Sequence, residues 1–133
     1  MKIRSIAVAA AAVLALSLGF AGVPNGDAAH ALHLRLERSA PAADSVVSAP
    51  SEIRLWFSQS TQEDATSIRL LDQAGEPVPT GKPRASNDHT VHHVSLDDGL
   101  ESGRYTVAWR TMAQDGHVIR GDFEFTVRSA DTL

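Results

Sequence analysis

From residue 33 onward, apolar and polar side chains alternate with a period of two, as in half-buried β-strands. His33, Leu34, Arg35, Leu36, Glu37 and Arg38 open the pattern. A loop follows over residues 39–45, and Val46-Val47 is short enough for only a brief pairing. After the turn at Ala49-Pro50-Ser51, residues 52–57 alternate again, with Ile53, Leu55 and Phe57 on one face. Residues 58–64 are polar and read as a loop. Residues 66–71 form the next strand, closed by Asp72-Gln73-Ala74-Gly75. Pro79, Gly81, Pro83 and Asn87 make residues 78–88 an irregular connection. Residues 90–96 are strand-like, and turns follow at 97–99 and 101–103. The two clearest strands come last. Residues 104–112 place Tyr105, Val107 and Trp109 on one face, and residues 118–127 do the same with Phe123, Phe125 and Val127. A tight turn, Gln114-Asp115-Gly116-His117, joins them. Seven short strands with turns every few residues predict an all-β, two-sheet sandwich with a Greek-key arrangement.

The first 31 residues follow other rules. Lys2 and Arg4 precede an almost unbroken apolar run over residues 6–20, shorter than the roughly 20 apolar residues of a membrane-spanning helix. Small and polar residues then lead to Ala29-His30-Ala31, an A-x-A cleavage pattern. Residues 1–31 are therefore expected to be a signal peptide, cut between residues 29 and 32. An uncleaved N-terminal anchor is the rival. The expected mature part is one domain, residues 32–128, with a loose tail at 129–133. About 100 residues suffice for one sandwich core and not for two domains.

The chain contains no cysteine, so neither a disulfide nor a lipid-bearing thiol is available. From residue 33 to the end there are 10 Lys/Arg and 15 Asp/Glu, a net charge of −5. That balance excludes a nucleic-acid partner and is compatible with a cationic ligand.

The candidate chemistry lies in the histidines. Asp115 and His117 flank Gly116 in the last turn, and residues two apart in extended backbone face one way. A carboxylate and an imidazole suit Cu(II), Ni(II) or Zn(II). The plainer alternative is that Asp115 caps the turn and His117 is a surface residue. His30 and His33 flank the expected mature N-terminus. There a free amine, with a pKa of about 7.7–8.0, would offer a second nitrogen beside an imidazole. His89, His92 and His93 read mainly as surface and edge residues, with a secondary metal site as the alternative. No thiol nucleophile, nucleophile elbow or Gly-rich phosphate loop is present in the sequence.

Several segments together resemble the CopC family of periplasmic copper-binding proteins. They are His33-Leu34-Arg35-Leu36 with Ser39-Ala40-Pro41-Ala42, then Ala49-Pro50 followed by Ile53-Arg54-Leu55-Trp56-Phe57-Ser58. The late hairpin adds Gly103-Arg104-Tyr105-Thr106-Val107-Ala108-Trp109-Arg110, Asp115-Gly116-His117 and Gly121-Asp122-Phe123-Glu124-Phe125-Thr126-Val127. The resemblance implies a seven-stranded, Ig-like or cupredoxin-like Greek-key sandwich or barrel. It also implies that Cu(II) is held by an N-terminal amine and imidazole with an Asp and a His from the late turn. By position these are His33, Asp115 and His117, with His30 as the alternative N-terminal ligand. Two departures stand out. Some relatives carry a Met-rich Cu(I) site, whereas the mature part here has only Met112. The A-x-A cut precedes Leu32, which would make His33 the second mature residue.

The expected function is a non-catalytic, periplasmic copper(II) carrier or buffer in copper resistance or homeostasis. It would act as a soluble monomer whose partners are the copper ion and an inner-membrane copper transporter. Two alternatives are an oxidative copper enzyme with an N-terminal histidine site and a metal-free Ig-like interaction module.

Overall fold

The structure, a computed structural model, describes residues 33–97 and 99–129. The expected leader, its cleavage window and His30 lie outside the described residues, as do residues 130–133 of the expected tail.

Among the described residues there are nine strands, β1 (Leu36–Ala40), β2 (Val46–Val47), β3 (Glu52–Phe57), β4 (Ser67–Leu71), β5 (Pro77–Val78), β6 (Arg84–Ala85), β7 (Val91–Ser95), β8 (Gly103–Met112) and β9 (Val118–Val127). They form a four-stranded sheet, β1-β3-β7-β6, and a five-stranded sheet, β2-β9-β8-β4-β5. All seven strands expected from the alternation are present. The first is displaced toward Ala40, so His33 precedes the ladder instead of starting it. Two further strands of two residues each are present, β5 at the entry to the connection expected to be irregular and β6 within it. A single 3₁₀ turn, Glu63–Ala65, interrupts the polar loop after β3.

Period-two alternation produces the core directly. Ile53, Leu55 and Phe57 of β3 face Ile68, Leu70, Val107, Phe125 and Val127 of the other sheet, all buried. Tyr105 stacks on Phe125 with ring centroids 5.7 Å apart, and its hydroxyl donates to the Glu101 carbonyl at 2.8 Å. Burial of a phenol is tolerable because its polar end is thereby satisfied. Trp109 meets Phe57 edge-on at 5.4 Å. Gly121, opposite Trp109 in the register, has no room for a side chain, since a Cβ there would stand 2.7 Å from the indole Cζ2. Trp56 points outward, its ring covered by the Arg38 guanidinium 3.9 Å from the centroid.

His92 departs from the expectation of a surface or edge residue. It alternates with outward His93 on a strand that is central in its sheet, so its ring is fully buried. Nε2 lies 2.5 Å from the Thr61 hydroxyl and 3.3 Å from the His89 carbonyl, while Nδ1 has no hydrogen-bond partner. Burial pushes the imidazole below its ordinary 6.5, outweighing the opposing pull of the His89 carbonyl and Glu63. The folded chain therefore resists a proton that the unfolded chain accepts.

The sign of the effect on stability follows. The contribution is complete above the ordinary imidazole value of 6.5 and is lost as the pH falls through the depressed folded value. The expected slope is up to about 1.4 kcal/mol per pH unit within that window. Urea denaturation measured across it should show the loss in the wild type and a shallower slope in His92→Gln. Equal slopes in the two proteins would assign the acid sensitivity to other groups.

Candidate metal centre

The turn between β8 and β9 is built by its backbone. The Gly116 amide donates to the Ala113 carbonyl at 3.0 Å, and the Ala113 amide donates to the His117 carbonyl at 2.8 Å. Between these bonds Gly116 takes φ +93°, a conformation that side-chain-bearing residues rarely adopt. A three-residue loop ending in such a glycine closes a hairpin without splaying its strands.

Asp115 and His117 converge through this turn and not through strand alternation. One carboxylate oxygen of Asp115 accepts the His117 amide at 3.0 Å, and the other lies 2.8 Å from His117 Nδ1. The plainer expectation that Asp115 caps the turn is thus met, and the same carboxylate also orients the imidazole. Both side chains remain well exposed, at 65% for Asp115 and 84% for His117. The His117 amide and then its imidazole hold the Asp115 carboxyl below the usual carboxylate range. An ionised carboxylate can only accept, so Nδ1 carries a proton, and in the neutral imidazole Nε2 is then left with a free lone pair. This is the arrangement by which carboxylates orient metal-binding histidines.

His33 reaches the same place from the other end of the chain. With Leu34, Gln59, Asp115, His117 and Ile119 it lines a cleft of about 420 Å³. Ser58, at the end of β3, holds this segment. Its hydroxyl accepts the Arg35 amide at 3.0 Å and donates to the His33 carbonyl at 3.3 Å, while its own amide donates to the Arg35 carbonyl at 2.9 Å. Ser58 is visible in the sequence only as the polar residue closing an apolar strand, and its role needs the β1–β3 pairing. Gln59, also in the cleft, carried no sequence signal.

The donors are therefore two imidazoles and one carboxylate around an open cleft, without sulfur. That set fits a borderline divalent ion such as Cu(II) and suits Cu(I) poorly. Among the described residues no three His, Cys, Asp or Glu side chains form a ready-made cage. The close contact is the Asp115–His117 pair, and His33 shares the cleft with it. His89, His92 and His93 do not assemble into a second centre. His92 is in the core and His93 faces outward, while His89 sits in a turn with its Nδ1 3.8 Å from a Glu63 oxygen.

Loss of the Ser58 hydroxyl should free the segment that carries His33. In Ser58→Ala, amide hydrogen exchange at Arg35 should quicken by about fivefold, the equivalent of one net hydrogen bond. Exchange within β8 should stay unchanged. An unaltered Arg35 rate would mean that Ser58 does not hold the segment.

Comparison with known proteins agrees with this architecture. The family model described as the CopC domain matches residues 36–128. The copper resistance protein C of Escherichia coli is 31% identical over 103 residues, covering 72% of this chain and 82% of that protein. The copper transport protein CutJ of Bacillus subtilis is 29% identical over 101 residues, and the matched part is 74% of this chain but only 19% of that protein. The crystal structure of CopC from Methylosinus trichosporium OB3b superposes with a TM-score of 0.70 at 28% identity, covering 76% of this chain and 99% of that one.

Proposed function

Because the chain belongs to the CopC family, a family of copper-binding and copper-resistance proteins, we propose that it is a periplasmic carrier or buffer of copper(II). The ion is held by His33, Asp115 and His117, with the mature N-terminal amine or His30 completing the set. The observation that carries this reading is that one cleft gathers His33, Asp115 and His117 from opposite ends of the chain. In the neutral imidazole the Asp115 contact keeps the proton on Nδ1 and leaves Nε2 to the metal, and for Asp115 to join the same ion its exposed carboxylate would turn from Nδ1 into the cleft. The carboxylate supplies the negative charge that a divalent ion needs. Copper(II) stands highest among the divalent ions for nitrogen and oxygen donors.

A non-catalytic role agrees with the surroundings of the cleft. A copper enzyme acting on a bulky substrate would offer a platform beside the metal. Both tryptophans are engaged elsewhere, Trp56 beneath Arg38 and Trp109 against Phe57. In the proposed setting residues 1–31 are a removed leader, and the mature monomer exchanges copper with an inner-membrane transporter. Among the described residues no helix is long and apolar enough to cross a membrane.

Removing a ligand should weaken Cu(II) binding by about tenfold or more, the scale seen when even supporting residues of metal sites are lost. Competition against a chromophoric chelator should show this for His117→Ala, Asp115→Ala and His33→Ala, with Cu(I) bound weakly throughout. Wild-type affinity in both Asp115→Ala and His117→Ala would refute the site.

The mature N-terminus has its own test. The exported protein should have the mass of a chain starting between residues 30 and 33. Extra residues placed before that start should weaken Cu(II) binding and alter its electron paramagnetic resonance spectrum. A stable exported protein of the full 133 residues would rule out the processed amine.

A further inference from the structure

The outer face of the five-stranded sheet carries a charge arrangement that the fold does not require. On β8 Val107 and Thr111 are buried, so Ala108 and Arg110 face outward. On β9 Phe125 and Val127 are buried, so Arg120 and Asp122 face outward. On β4 Ile68 and Leu70 are buried, leaving Ser67 and Arg69 outward. The register then sets two rows across the sheet, Ser67–Arg110–Arg120 and Arg69–Ala108–Asp122. Arg110 is directly opposite Arg120. Like charges in such a pair destabilise a sheet.

None of the three arginines takes part in an ion pair among the described residues. Arg110 makes one hydrogen bond, from Nη1 to the Ala65 carbonyl at 3.3 Å. The small side chain of Ala108 leaves a recess between Arg69 and Asp122, and the six residues, with Trp109 and Gly121, line a cleft of about 390 Å³. Asp122 is its one carboxylate.

We infer that this cleft binds the carboxylates of an acidic segment of a partner protein. A guanidinium presents parallel N–H donors that match a carboxylate, and three of them surround one depression. The cleft is wider than a single small anion would fill, and a succession of acidic side chains could occupy both rows. Asp122 opposes any anion in the cleft, and in a polypeptide partner it would pair with a basic residue set among the acidic ones. The whole chain is acidic, with a formal charge of −4, so attraction of an acidic partner must come from a local patch such as this one. The site lies on the β8–β9 hairpin that also carries Asp115 and His117, and it does not depend on metal at that hairpin's tip.

The test uses exported, metal-free protein and synthetic hexaglutamate as the probe, followed by amide chemical shifts at low salt. Saturable shifts at Ala108, Arg110 and Arg120 are expected. Arg110→Gln and Arg120→Gln should each weaken binding by about fivefold, near the upper range for one exposed charge pair. Arg84→Gln makes the same charge change on an exposed residue of the other sheet and should leave the affinity unaltered. Arg120→Gln should unfold at the same temperature as wild type or higher, because it removes the repulsion. The inference is overturned by an absence of saturable shifts or by an equal loss in Arg84→Gln. It is also overturned if inorganic phosphate or phosphatidylglycerol vesicles displace hexaglutamate from these residues.

Discussion

Ten antiparallel residue pairs join β8 to β9, from Gly103 opposite Val127 to Met112 opposite Val118. Both clefts rest on this ladder. Its inner face contributes Tyr105, Val107, Phe125 and Val127 to the core, and its outer face sets the arginine rows. Its end delivers Asp115 and His117. A shift of one residue would turn every inner side chain to solvent, so the buried face locks the register. The lock extends to the turn, because the bonds of Ala113 with Gly116 and His117 leave three residues between fixed strand ends. An exposed pair of side chains thus inherits the rigidity of a buried sheet.

The other half of the proposed copper site is held more lightly. Among the described residues β1 is an edge strand of the four-stranded sheet, paired to β3 alone, and His33 lies ahead of it. Three hydrogen bonds through Ser58 substitute for a longer ladder. A rigid donor pair faced by a less constrained donor suits an ion that must enter and leave. The preformed pair keeps the ordering cost of binding small, and the looser segment can move aside.

The described histidines show how far environment governs the chemistry of one residue type. His117 is solvent-exposed and oriented by a carboxylate, which leaves a free lone pair. His92, on a central strand, is kept neutral by burial and acts as a core residue with one hydrogen-bonded edge. His93, its neighbour in sequence, faces the opposite way. Adjacency along the chain did not bring His92 and His93 together, since neighbouring strand residues point to opposite faces of the sheet.

Period-two alternation by itself determined the all-β class, the two-sheet core and the membership of that core, because burial on one face selects apolar residues at every second position. Phe57, Val107 and Phe125 were identifiable on that ground alone. The chemistry of the last turn was legible too, since Asp115, Gly116 and His117 are contiguous and the glycine marks the bend. Tertiary structure decided what depends on partners distant in sequence. It buried His92, which looks polar in isolation but lies on a central strand. It recruited β5 and β6 from a segment rich in proline and glycine. It set His33 along one cleft with Asp115 and His117 and tied its segment to Ser58. It also set Arg110 against Arg120. Alternation reports which face a side chain occupies, whereas its neighbour on that face is chosen by strand order and register, which no local pattern encodes.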